Sequence, residues 1–223
     1  MSKNIKLRKG LDIKLVGAAE LRLEETPMAK SYAVSPLDYE NVTPKLLVKV
    51  GDKVEAGSAL FFDKNNPRIL FTSPVSGVVS AINRGEKRKL LNVAIEPDQT
   101  QVSKELKVVD ATKANRSEVV EMLLESGLWT RIVERPYGVI ANPDATPKSI
   151  FVSAFDSKPL AVDFEVALAG NEAEFQTGLD ALSRIAPVYL GINSNQTSAA
   201  LTTPKNVTVT CFDGPHPAGN VGV

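Results

Sequence analysis

Residues 46–79 read LLVKVGDKVEAGSALFFDKNNPRILFTSPVSGVV, and the way this stretch divides decides the fold. Apolar runs of strand length are broken at Gly51-Asp52, Ala56-Gly57, Asn65-Asn66-Pro67 and Ser76-Gly77. Branched and aromatic side chains fill the runs because they suit a pleated, half-buried surface. Gly, Asn, Asp and Pro fill the breaks, where a positive φ or a missing N–H must be tolerated. The stretch therefore predicts short strands joined by tight turns. Downstream, Arg84-Gly85-Glu86-Lys87-Arg88 is a charged turn before an apolar run at Leu90–Ile95, and Pro97-Asp98 ends the β-rich region.

Toward the N-terminus the pattern is looser. Ile5, Leu7, Leu11, Ile13 and Leu15 alternate with lysines and other polar residues, which predicts one or two strands covering an edge of the barrel, and Ala29 to Val34 adds another. The MSKNIKLRKG start carries cations but no apolar run behind them, and no segment approaches the ~20 consecutive apolar residues of a membrane span. Twenty-six basic residues balance 26 acidic ones, which argues against a polybasic nucleic-acid surface. The single cysteine, Cys211, rules out an internal disulfide framework and suits a reducing compartment.

Beyond residue 98 the texture changes. Residues 98–114 read as a polar connector. Asn115 with Glu118 forms a capping-box start for a helix carrying Val119, Val120, Leu123 and Leu124 on one face, and Gly127 is its left-handed stop. The stretch from Trp129 to Pro147 is too long for a simple connection, and long loops in compact domains tend to be functional or flexible. Ser149–Ala154, Val188–Ile192 and Val207–Cys211 are buried-strand runs. Between them, Asn171 with Glu174 starts a helix that buries Phe175, Leu179 and Leu182, and Ser194 to Leu201 suggests a short one. Alternation of strand and helix predicts a parallel sheet with ligands beyond its carboxyl ends, at Phe155-Asp156-Ser157, Asn193-Ser194-Asn195 and Asp213-Gly214-Pro215-His216. The chain is thus of mixed α+β class: residues 1–100 a β-rich domain, residues 101–223 a Rossmann-like α/β domain.

VKVGDKVEAG, a hairpin and SPVSGVV in that order resemble the biotinyl/lipoyl carrier fold, a barrel-sandwich hybrid. By that resemblance the modified lysine would fall at about Asn66 or Pro67, where there is none, and Lys64 lacks the flanking signature. LRKGLDI, GDKVEAGSALFFDK, FTSPVSGVV, INRGEKR, LLESGLW, FVSAFDSKPLA and FDGPHPAG together resemble the NqrA family of subunits of the bacterial sodium-translocating NADH:quinone reductase, with relatives in the RnfC component of the Rnf complex and the flavin- and NADH-binding subunit of respiratory complex I. The resemblance implies a peripheral subunit on the cytoplasmic face of the bacterial inner membrane. Its partners would be the other subunits and a quinone, with the membrane reached only through those subunits and no nucleic acid involved. It also implies an isolated chain without activity, and flavins and iron centres carried by the partners.

Departures from those relatives are informative. Where the complex I subunit has a glycine-rich loop for flavin and nucleotide phosphates, this chain has Trp129-Thr130-Arg131-Ile132-Val133, whose bulk opposes close N–H approach. Of the acidic element that follows in those relatives, Ser153 to Leu160 keeps only Asp156. No cofactor is therefore expected on this chain, and no catalytic or metal-binding group is identified. Trp129, Tyr137 and Phe155 are read as an apolar slot suited to a quinone, and His216 as a proton donor to it or a hydrogen-bonded support of its loop. Two other function classes stay open: a carrier-type module and an independent flavin or NADH oxidoreductase. Since the resembled subunit continues well past FDGPHPAG, this sequence is expected to be an N-terminal piece with loosely anchored last residues and an apolar face of the α/β domain exposed or covered by a second copy.

Overall fold

The computed structural model describes residues 3–220. Its strands begin with β1 (Lys3–Lys6), β2 (Tyr32–Val34), β3 (Pro44–Leu46), β4 (Lys53–Val54), β5 (Ala59–Asp63), β6 (Asn66–Thr72), β7 (Gly77–Arg84) and β8 (Leu90–Pro97). Helix α1 (Arg116–Glu125) and the short strands β9 (Val133–Glu134) and β10 (Val139–Ile140) follow. The rest is β11 (Ile150–Ser153), α2 (Phe164–Leu168), α3 (Glu172–Ser183), β12 (Val188–Asn193), α4 (Ala199–Thr202) and β13 (Thr208–Asp213). Two compact units share these elements: a β unit of Thr26–Val109 with Val120–Ala145, and an α/β unit of Met1–Glu25, Asp110–Val119 and Thr146–Val223. The expected loose anchoring of the last residues, Val221 to Val223, lies outside the described residues.

In the β unit one antiparallel sheet runs β2-β8-β7-β4 and another β3-β5-β6. Inward residues of both sheets form the core, with Leu60, Phe61, Phe71, Val79, Val93 and Ile95 essentially buried. Phe61 stacks on Phe71 at 4.6 Å between ring centroids, and Tyr39 meets Phe71 edge-on at 4.9 Å, a pairing that complements ring quadrupoles. The end of the barrel is closed by Gln101, whose amide donates to the Ser76 carbonyl at 3.2 Å and accepts the Ser76 N–H at 2.8 Å.

The hairpin joining β5 to β6 corrects the carrier count. Its two turn residues are Lys64 and Asn65, so a lysine does occupy the tip, and Asn66 and Pro67 already belong to β6. The buried Asp63 carboxylate sets this turn by accepting the N–H groups of Asn65 at 3.1 Å and Thr43 at 3.0 Å. Thr43 in turn accepts the Lys64 N–H at 2.8 Å, and Asn65 donates to the Asn41 carbonyl at 3.2 Å. The tip is strapped to the preceding chain on both sides.

Farther along β6, Arg68 reaches two carboxylates, Glu121 on α1 at 2.5 Å and Asp144 at 2.7 Å. One planar guanidinium thereby holds a helix and a loop to the same strand.

The α/β unit is a four-stranded parallel sheet in the order β1-β13-β12-β11. Its first strand corrects the expectation for the N-terminus: Lys3–Lys6 pairs with Thr210–Asp213 rather than covering the barrel. Alternation marks a half-buried strand but says nothing of its partner. One sheet face is covered, with Ala154, Leu190, Ile192 and Leu201 fully buried among Phe164, Leu168, Phe175, Val209 and Cys211. On the edge strand β11, Phe151 is 72% exposed and stacks on Tyr189 at 5.4 Å.

Helix ends follow local chemistry. Asn115 and Glu118 exchange the two side-chain to backbone bonds of a capping box, at 2.9 and 3.1 Å. The cap expected from Asn171 and Glu174 does not form. Asn171 makes no side-chain cap, and Glu172 instead accepts the Gly170 N–H at 3.1 Å. The expected helix from Ser194 shortens to α4, because Asn193 and Gln196 bind the backbone of the intervening turn. Glu165 on α2 accepts the N–H groups of Ser198 and Thr197, which hold its carboxyl below the usual carboxylate range and fasten α2 to the start of α4. Arg184, just past α3, donates to the carbonyls of Ala111 and Thr112.

This packing makes three stability predictions. A Cβ at Gly77 would stand 2.0 Å from the Glu96 carbonyl oxygen, whereas one at the helical Gly178 meets nothing within 4 Å. Urea unfolding should therefore show Gly77→Ala less stable by about 2–3 kcal/mol, and Gly178→Ala more stable by about 0.5–1 kcal/mol. Arg68→Ala should lower stability by about 1 kcal/mol in dilute buffer, a loss that shrinks as salt screens the exposed pairs.

Candidate functional site

A groove of about 290 Å³ opens on the β unit between two short helical turns and a hairpin. Its first wall begins where the Ser35 hydroxyl accepts the Leu37 N–H at 3.1 Å, starting a 3-10 turn at Pro36–Asp38 that presents Asp38, Tyr39 and Glu40. Its second wall begins at Gly127, whose φ of 77° ends α1 and whose missing side chain lets Thr72 approach. A further 3-10 turn, Leu128–Arg131, leads into the β9–β10 hairpin and contributes Thr130, Arg131, Val133, Gly138 and Ile140.

Trp129 underlies this second wall. Its ring is buried, and its Nε1–H donates to the Ala141 carbonyl at 2.7 Å, tying the turn to the far end of the hairpin. Thr130 is buried beside it and donates its hydroxyl to Gly127 at 2.8 Å. Tyr137, the chain neighbour of Gly138, is 73% exposed. Among the described residues no carboxylate lies within ion-pair distance of the exposed Arg131. The groove thus offers an apolar lining from Tyr39, Val133 and Ile140, one guanidinium with donors available, and two carboxyl groups. Its volume is at the lower edge of small-molecule sites, sized for a single ring rather than a dinucleotide.

Two of the N–H groups that a phosphate would draw on are engaged here. Thr130 N–H bonds to Gly127 and Ile132 N–H to the Trp129 carbonyl, both within the turn. This differs from a helix N-terminus, where free N–H groups converge on an anion.

The other expected residues lie in the α/β unit, at the carboxyl ends of its strands. Phe155 is 7% exposed and closely covered by Gly219, where a Cβ would come within 2.3 Å of the ring. Ser157 donates to the Ala218 carbonyl at 2.5 Å, so at 3.0 Å from His216 Nδ1 its oxygen accepts a proton from the ring. That leaves His216 Nε2 without a hydrogen bond among the described residues. The His216 backbone is fixed as well, its N–H donating to Asp12 at 2.8 Å and its carbonyl accepting from Leu11 at 2.9 Å. Beside it the Lys158 side chain and N–H hold the Asp156 carboxyl below the usual carboxylate range. Asp156 caps no helix.

The four expected contact residues therefore divide between the units, Trp129 and Tyr137 in one, Phe155 and His216 in the other. Sequence reading missed the Asp38–Glu40 wall. Its only local signal is Ser35 followed by Pro36, a short-helix start.

Known protein families bear on both units. Residues 5–98 match the model described as the NqrA N-terminal barrel-sandwich hybrid domain, and residues 114–223 match that described as the NqrA second alpha/beta domain. The NqrA subunit of the Na(+)-translocating NADH-quinone reductase of Pseudomonas aeruginosa UCBPP-PA14 is 41% identical over 220 residues, which is 98% of this chain and 49% of the relative. Proteins of the same name from Saccharophagus degradans and Yersinia pseudotuberculosis are 38% and 39% identical over 98% of this chain and 49% of their own length. The chain thus spans about half the length of the curated relatives it matches. Matched in both parts and aligned along nearly its whole length with these reductase subunits, the chain belongs to the NqrA family of Na(+)-translocating NADH-quinone reductase subunits.

Proposed function

We propose that this chain works as a peripheral, cytoplasmic-side part of a sodium-translocating NADH:quinone reductase, carrying no flavin or nicotinamide itself and offering the quinone a contact surface at the groove above Trp129. The observation that carries the subunit role is the alignment of nearly the whole chain with proteins of that name. In keeping with a peripheral position, no helix among the described residues is long and apolar enough to cross a membrane.

Support for the quinone contact is chemical. A quinone head is one flat ring with two carbonyl oxygens, matched by an apolar slot holding a donor. Arg131 would bond a carbonyl oxygen, and Asp38 and Glu40 stand where protons for a reduced ring would enter. Electrons would come from flavins and iron centres on partner subunits. Against a resident dinucleotide stand the engaged N–H groups of the Trp129 turn and the covered ring of Phe155. His216, whose Nδ1–H is given to Ser157, presents Nε2 as an acceptor in the neutral ring, so the proton-donor role expected of it at the α/β unit would need the ring protonated.

A second reading gains one observation, Lys64 at the hairpin tip. Carriers need that tip to swing its cofactor freely, whereas Thr43 and Asn41 hold this one. An intact mass equal to the bare sequence is expected, and any added acyl or biotinyl mass would instead establish the carrier reading.

Trp129, the one tryptophan of the chain, gives the test of the quinone contact. Titrating a short-chain quinone should quench its fluorescence saturably. Ile140→Trp with Trp129→Phe should move the reporter into the groove and deepen the quench, and Arg131→Ala should weaken binding by about 10-fold, one charge-assisted bond. Quenching that never saturates, or is indifferent to Arg131, would remove quinone from this groove. Failure of the chain to join the other reductase subunits on co-expression would remove the subunit role.

A further inference from the structure

The hairpin between β7 and β8 ends in Arg84-Gly85-Glu86-Lys87-Arg88-Lys89, four basic residues and one acidic within six positions of a chain whose formal net charge is zero. All four cations are exposed, and among the described residues none has a carboxylate within ion-pair distance. The backbone of the tip is defined. Gly85 N–H donates to the Lys89 carbonyl at 2.9 Å, Lys89 N–H to Glu86 at 3.1 Å, and the Arg84 guanidinium to the Arg88 carbonyl at 2.9 Å.

Lys87 and Arg88 both stand at positive φ, 52° and 60°. Two successive left-handed residues are the geometry that Asn-Gly adopts without strain, and long side chains with a Cβ adopt it at a cost. Local turn chemistry therefore does not account for Lys-Arg at these positions, whereas a need for charge does.

From this we infer that the β7–β8 tip rests on an anionic phosphate surface, the headgroups of an acidic lipid bilayer. A convex tip with no apolar side chain among its six residues has nothing to insert into a bilayer or to fill a hydrophobic protein pocket. It can touch a flat charged surface with several cations at once, the arrangement by which basic clusters next to membranes recognise acidic lipids. The inference rests on the proposed place in a membrane-bound pump for the nearness of a bilayer. It differs from the sequence expectation that only partner subunits reach the membrane.

The full chain is tested by sedimentation with vesicles of phosphatidylcholine alone or with one-third phosphatidylglycerol. Binding is expected to the acidic vesicles only and to fade as sodium chloride is raised. The double variant Lys87→Asn with Arg88→Gly keeps the left-handed turn, so its melting temperature should equal or exceed the original. Its vesicle affinity should fall by about 30-fold, two surface cations' worth. Lys107→Asn with Lys148→Asn removes equal charge elsewhere and should leave most of the affinity. An equal loss in that control would overturn the tip as the site. Displacement by millimolar inorganic phosphate at matched ionic strength would make it a discrete phosphate site, overturning the lipid surface. Binding to neither vesicle would also overturn the inference, leaving the tip to an acidic protein surface, and would not touch the subunit role, which co-expression tests separately.

Discussion

One carboxylate closes the α/β unit on itself: Asp12 accepts the backbone N–H of His216 across 204 positions of chain. Around this tie, β1 lies parallel to β13, and Leu7 and Leu11 donate to the carbonyls of Asp213 and His216. Approach this close needs two glycines, since a Cβ at Gly10 would fall 2.1 Å from the His216 carbonyl oxygen and one at Gly214 2.4 Å from that of Leu7. The loop so fixed supports the Ser157–His216 contact and the cover of Gly219 over Phe155. The carboxyl end of the sheet therefore depends on residues that precede the whole β unit in sequence.

How much can be read beforehand follows from how local each interaction is. The short strands, the capping box at Asn115 and Glu118, and the left-handed Gly127 are written in neighbouring residues, and the structure has them. The partner of β1 is not, because parallel pairing joins distant segments and alternation alone fits either sheet. A count from Gly51 against the carriers passes the hairpin tip, because Asp63 chooses the turn by accepting the Asn65 N–H. Of the expected contact residues, types are legible and exposure is not. Nothing in Trp129 or Phe155 announces that each ring is covered, one under a hairpin and the other by a glycine.

The two units also differ in how they use polar backbone. In the β unit the turn after Gly127 engages the N–H groups of Thr130 and Ile132 itself, and the groove beside it presents side chains. In the α/β unit the strand ends are occupied by other parts of the same chain: Gln196 donates to the Ala154 carbonyl and Ser157 to that of Ala218. The proposed recognition rests instead on a guanidinium, an imidazole nitrogen and a cluster of surface cations.

Separation of β1 from β13 sets a timetable for synthesis. At ~5–20 residues per second, a ribosome needs roughly 10–40 s to deliver Thr210 after Lys3 has emerged. During that interval the first strand has no partner, while the β5–β6 and β7–β8 hairpins of the intervening β unit can form as they appear. An unpaired strand is a template for mispairing, and the sequence of β1, Lys-Asn-Ile-Lys, is short and charged enough to resist it. The same lysines that look out of place in a sheet keep the nascent terminus single until its neighbour arrives.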